Sequence, residues 1–444
     1  LILENTDRPA GEFLMSQTLS ATIILAVMVA VYILAKIFRV STELSLFLAA
    51  LAGALAGGEG LPARHLAEGA ITYLDICLIF LTATLFMNLL KEAGGIAFAV
   101  RAILKRFHRR KYILFILLVF LLLIPGALTG AGSVSVLITG SLVAIVLRYM
   151  GLSDLKVAAI IFIIAGLSAA APPVSLWAML TAAGVNMPYV GFFLPLLIPC
   201  VLGALITIFI LGHRASPINL EKALTEIPAP PEGMNWWRLS LPFGIFMALI
   251  AAGRLFPFHF PILGLPLIFA ITAGITLLIS PVRLNLWAIS LRTTEQLLPL
   301  VGTLTCVGIL VQIMTLTGVR GLISVSVVTL PVALVIASLF LTLPFSEAVL
   351  MWGAAPVLGV PLILLFNTRG LDPIVALAGL SLIWPLGDAL PPTAIIGRLT
   401  MEVVGARERY QKFLLTCAVP AVIIAVLGTL MVVFSKKLSF LTIF

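Results

Sequence analysis

The sequence predicts an all-α membrane protein built as an inverted repeat, and three observations carry that expectation. Of 444 residues, 61% are hydrophobic and only 10% are charged, against roughly a quarter charged in a soluble domain. Apolar stretches of about 20 residues, the length a helix needs to cross a bilayer, recur from one end to the other. The two halves also share glycines and prolines in constant register.

The first half gives spans near 17–38, 42–58, 69–91, 112–148, 155–184 and 190–212. The second gives 239–256, 261–280, 296–316, 322–367, 373–404 and 411–435. Residues 1–16 read as an N-terminal extension, with Met15 the expected natural start, and 436–444 as a C-terminal tail. Residues 213–236, with Pro217, Pro228, Pro230 and Pro231 among charged side chains, form the longest polar stretch and read as a linker between repeats 17–212 and 237–435. The runs are continuous rather than alternating, which argues against a β-barrel.

Two stretches are too long for one simple span. Residues 112–148 and 322–367 each contain a Gly, Ser or Pro interruption, so each is either two spans or a re-entrant hairpin. Positive residues follow the first and third spans: Lys36 and Arg39, then Arg101, Lys105, Arg106, Arg109, Arg110 and Lys111. The positive-inside rule puts both groups in the cytoplasm and the N-terminus outside, in a bacterial inner membrane. With Arg148 and Lys156 also inside, 112–148 becomes a hairpin from that face and 322–367 one from the opposite face. Two plain crossings would give the same parity, so charge supports the hairpins without proving them. The net charge of +9 is absorbed by these loops, and no basic face of useful size is left for nucleic acid.

Pro125, Gly140, Gly151, Pro172 and Pro173 match Pro344, Gly359, Gly370, Pro391 and Pro392 at one offset of 219. Upstream the offset drifts: Gly95 matches Gly318, a shift of 223. An odd number of crossings between the halves makes the repeat inverted, and in inverted repeats with interrupted helices the binding site is expected at the interruptions.

The interruptions carry the chemistry. They are Leu128–Ser135 and Ser168–Ser175 in the first half, and Pro344–Ala348 and Gly387–Thr393 in the second. A Pro-Pro pair removes backbone donors and opens a helix. The freed carbonyls, with Ser, Thr or Asp oxygens, can ligate a bare cation, and the restarting helix turns its amides toward an anion. Asp388 and Glu347 are ionisable groups at expected midplane depth, which makes them functional candidates. Arg398 is a possible substrate anchor, although Glu402 four residues on offers a plain helix pair. Asp75 and Asn88 read as helix-packing polar groups. The single cysteines Cys77, Cys200, Cys306 and Cys417 and the scattered histidines have no metal-ligand spacing. An intramembrane enzyme is disfavoured, since Asp388 has only Ala169 at the matching position of the first half.

The runs LTGAGSVSVLITG, GLSDLKVAA and AAPPVS, and the long run from Pro344 to Thr393 (PFSEAVLMWGAAPVLG … GDALPPT), resemble the signatures of the large membrane subunit of tripartite ATP-independent periplasmic (TRAP) transporters, over about 70–435. That resemblance implies an elevator-type symporter with two re-entrant hairpins (112–148, 322–367) and two discontinuous helices (155–184, 373–404). It implies Na⁺ as coupling ion, no other cofactor, and an organic-acid substrate. It also implies two partners: a small four-helix membrane subunit and a periplasmic substrate-binding protein. The sodium and substrate regions fall on Thr129, Gly130, Gly132, Ser133, Ser135, Pro172, Pro173, Ser175, Ser346, Glu347, Asp388, Pro391, Pro392 and Thr393, with Na⁺ at Ser133, Gly132, Asp388 and Thr393. The chain departs from the family pattern at Ala131 and Leu390. A stand-alone carboxylate or cation carrier of the same superfamily is the alternative.

Overall fold

The computed structural model describes residues 10–218, 220–256, 258–259, 261 and 263–443, without the side chains of 10–16 and 443. The expectations for residues 1–9 lie outside the described residues. Among the described residues every regular element is helical, and nine helices are long and apolar enough to cross a membrane. The chain is a multi-pass membrane protein.

The first half runs α1 (Ala10–Ile37), α2 (Thr42–Ala56), α3 (Ala63–Ile71), α4 (Leu74–Glu92), α5 (Gly95–Phe107), α6 (Lys111–Thr129), α7 (Gly132–Ser135), α8 (Ser141–Tyr149), α9 (Asp154–Ala170), α10 (Leu176–Gly184) and α11 (Phe193–Leu211). The linker holds one short helix, α12 (Leu220–Glu226). The second half runs α13 (Trp236–Leu255), α14 (Leu265–Ile279), α15 (Leu286–Leu316), α16 (Val319–Thr329), α17 (Val332–Leu350), α18 (Val360–Thr368), α19 (Pro373–Ile383), α20 (Ile395–Val404) and α21 (Tyr410–Val433).

The repeat extends to the elements themselves. A π-helical turn at Val136–Gly140 joins α7 to α8, and its counterpart Ala355–Gly359 leads into α18, 219 residues on. Ser141–Tyr149 maps onto Val360–Thr368, Leu176–Gly184 onto the start of Ile395–Val404, and Thr42–Ala56 onto Leu265–Ile279 with the shift of 223. The Pro172-Pro173 and Pro391-Pro392 peptide bonds are both cis.

Each hairpin is a helix, a tip and a returning helix. In hairpin 1, α6 ends at Gly130 in the left-handed region (φ 65°), where an added Cβ would lie 2.5 Å from the Phe80 ring. Glycine is required there for both conformation and space. Pro125 removes a donor from the last turns of α6, and hydroxyls reinforce that stretch: Thr129 donates to the Pro125 carbonyl at 2.7 Å, and Ser135 donates to the Leu122 carbonyl. Hairpin 2 turns at Met351, whose φ of 54° is costly for a side chain of its size.

The two hairpins enter from opposite ends. Helix α9 starts beside the base of hairpin 1, where Arg148 pairs with Asp154 at 2.6 Å. Its continuation α10 runs out along the returning arm of hairpin 2, with Thr181 donating to the Ala355 carbonyl and Gly184 against Val360. In mirror fashion α19 starts beside α18, and α20 ends where Arg148 donates to the Val404 carbonyl. Helix α9 is buried on all sides from Val157 to Ala170, as suits a helix that is apolar all round.

Several boundaries differ from expectation. Hairpin 2 begins at Val332, not 322. Leu330 is extended before Pro331, which lacks an N–H, so 319–329 forms the separate helix α16. Its counterpart α5 was not expected, because a basic amphipathic helix reads as a charged loop. The span 69–91 is two helices bent at Thr72–Tyr73, and 296–316 starts ten residues earlier, at an Asn285 cap whose side chain accepts from Ala288 N–H at 3.1 Å. Asn88 does pack helices, donating to Thr293 of α15 at 2.9 Å. Asp75 does not; it is exposed in the first turn of α4.

Candidate functional site

Each broken helix is docked onto the hairpin of its own repeat by the residue after its proline pair. Val174 N–H donates to the Ala127 carbonyl at 3.0 Å, and the Thr393 hydroxyl donates to the Ala348 carbonyl at 2.9 Å. Glycines permit the approach. A Cβ on Gly126 would overlap the Ser168 hydroxyl, and one on Gly387 would overlap the Pro344 carbonyl. The breaks also approach each other, since Gly166 packs on Pro385.

The close approach at Gly387 brings two acids together. An added Cβ on Gly387 would lie 2.6 Å from the Glu347 Cβ, and the next residue is Asp388. Glu347 is fully buried and Asp388 is 5% exposed. Among the described residues, both Glu347 oxygens and Oδ2 of Asp388 have no hydrogen-bond partner, and no cationic side chain pairs with either acid. From the first repeat, the buried Ser175 hydroxyl and Trp177 indole N–H are likewise unsatisfied. A buried charge left unpaired costs several kcal/mol per ion, so these carboxyls are held either neutral by a proton or charged against a bound cation.

The remaining expected residues divide. Thr129, Ser135, Ser346 and Thr393 direct their hydroxyl hydrogens to backbone carbonyls, leaving only lone pairs for a ligand. Gly132 packs against the Ala165 carbonyl and Ile396, and Ser133 is half-buried beside it. The Na⁺ set expected at Gly132, Ser133, Asp388 and Thr393 is drawn from both repeats, and the structure shows no contact joining Asp388 to Gly132 or Ser133 among the described residues. Pro172 and Pro173 are largely covered, whereas Pro391, Pro392 and Arg398 are exposed. Arg398 forms no ion pair with Glu402, so the plain helix pair is not made.

Two tyrosines that the sequence did not single out brace the backbone beside the breaks. Tyr189 accepts the Ser175 N–H at 3.3 Å while stacking on Phe192, and Tyr410 donates to the Ala389 carbonyl at 2.6 Å. Each follows its proline pair by a similar spacing, which is the signal that could have found them. Trp177 was missed because a tryptophan in an apolar run reads as core.

No family model and no curated protein matches the chain. Among solved structures it is similar to MtrF of Neisseria gonorrhoeae, described as illuminating a class of antimetabolite efflux pumps. The TM-score is 0.52 and the identity 14%, over 82% of this chain and 83% of that one. At that identity the likeness shows the fold: this chain shares the fold of a membrane transporter.

Proposed function

We propose that this protein is a secondary active transporter that couples passage of an organic acid to Na⁺, with Glu347 and Asp388 holding the coupling ion. The observation that supports this reading is the acidic pair itself. Two neighbouring carboxylates with unsatisfied oxygens, inside a membrane and next to the breaks of both repeats, call for a bound cation. The amides that open α10 and α20, with Arg398, supply positive potential for a carboxylate. By the TRAP resemblance, the hairpins and broken helices travel as an elevator, with a small membrane subunit and a periplasmic binding protein as partners, and the N-terminus outside the bacterial inner membrane.

Reconstitution in liposomes tests it. A Na⁺ gradient should drive accumulation of a labelled carboxylate, and uptake unchanged when K⁺ replaces Na⁺ would sink the sodium assignment. Adding the binding protein and small subunit separates a tripartite system from a stand-alone carrier, which transports without them. A second reading, export, is favoured by the likeness to a protein described as an efflux pump. Vesicles preloaded with substrate, and losing it against its gradient only when an ion gradient is imposed, would select export.

A further inference from the structure

Two lateral crevices in the molecule are related by the repeat. The first, about 640 Å³, lies between α5, α6 and α13 and is lined by Ile103, Phe107, Leu117, Phe120, Ile124 and Trp236 among others. The second, about 650 Å³, lies between α1, α16 and α17 and is lined by Val29, Ile33, Ile323, Phe345 and Leu350 among others. In both, the first helix of a hairpin faces the first helix of the opposite repeat across a gap walled almost wholly by apolar side chains.

They differ in charge. Arg106 lines the first crevice, and among the described residues no charged side chain lines the second. The Arg106 side chain is exposed and makes no hydrogen bond or ion pair. It belongs to the run Arg101, Lys105, Arg106, Arg109, Arg110 and Lys111, which contains no acid. Trp236, 57% exposed, and Ser240 line the same crevice, and tryptophan favours the level of lipid headgroups. From Leu117 to Pro125 the crevice follows α6 for about 12 Å, away from the basic base of the hairpin and toward its tip.

We propose that the first crevice is a binding site for one anionic phospholipid, its phosphate on Arg106 and an acyl chain lying along α6. The charge complementarity selects the occupant: a guanidinium at the mouth of an apolar slot between membrane helices matches an anionic headgroup above a hydrocarbon tail. The second crevice, as apolar but without a cation among the described residues, lacks this complementarity.

Native mass spectrometry of the full chain released from detergent, with phosphatidylglycerol or phosphatidylcholine added, tests this. Wild type should retain one phosphatidylglycerol with about tenfold preference over phosphatidylcholine, whose choline cation offsets the phosphate charge and is repelled by the guanidinium. Arg106→Gln should bring the two lipids level. Lys105→Gln, which removes an exposed charge outside the crevice, should keep the preference. Ala102→Phe, which fills the slot, should remove the bound phosphatidylglycerol, and circular dichroism would verify that it folds. Equal retention of both lipids by wild type, or indistinguishable behaviour of Arg106→Gln and Lys105→Gln, would overturn the proposal.

Discussion

Glu347 and Asp388 are held side by side by a backbone contact, not by attraction. Gly387 lets the second break close onto Pro344, and the acids come with it. Removing one charge should therefore relieve the fold while disabling the site. Glu347→Gln is expected to raise the melting temperature by about 2 °C or more and to abolish cation-dependent uptake, a trade seen when binding sites store instability. A lowered melting temperature would mean that Glu347 is structurally satisfied. Gly130 tests the tip of hairpin 1. Gly130→Ala should cost about 1–2 kcal/mol for the left-handed conformation alone, with the Phe80 contact added, and thermal unfolding would read the loss. The acids, prolines and tip glycines were legible in the sequence because such residues are out of place in apolar runs. Tyr189 and Tyr410 were not, because their hydrogen bonds to the backbone beside the breaks come from tips that composition cannot distinguish from core packing.

At the scale of the element, what matters is how a helix can be broken and still hold its shape. The freed ends at each break are tied back by a residue from elsewhere: Ala127 and Tyr189 in the first half, Ala348 and Tyr410 in the second. Tyr410→Phe removes one tie. It should cost ~1 kcal/mol of stability and weaken apparent cation affinity, because Ala389 adjoins Asp388; unchanged ion dependence of uptake would exclude that link. The broken helices were read from the sequence within a residue or two at their outer ends, since Pro-Pro pairs mark them. The start of hairpin 2 was misjudged because 319–329 is apolar enough to continue the run, and only Pro331 separates it. Helix α5 was hidden by its own arginines and lysines.

For the whole molecule, the repeat yields two equivalent frames with unequal contents. The positions matching Glu347 and Asp388 in the first half are Leu128 and Ala169. Movement of the hairpins against the flanking helices can be tested at Gly353, where an added Cβ lies 3.8 Å from the Cβ of Val307 on α15, the separation a disulfide prefers. In a variant without the four native cysteines, Val307→Cys with Gly353→Cys should cross-link hairpin 2 to α15. Uptake should stop on oxidation and return on reduction. Full transport by the cross-linked protein would exclude an elevator.

The linker between the repeats is tied to both of the parts that the proposed motion would separate. Arg101 of α5 donates to the Leu224 and Ile227 carbonyls at 2.8 and 2.6 Å, Tyr149 at the base of hairpin 1 donates to Glu226 at 2.5 Å, and Pro231 packs on Gly94. One strap is thus buckled both to a flanking helix and to a hairpin. On the proposed elevator motion its slack would limit the stroke: a travelling hairpin would first have to unfasten Tyr149 or drag α12 off α5. The strap would then work as a leash, with Tyr149 and Arg101 as its two buckles.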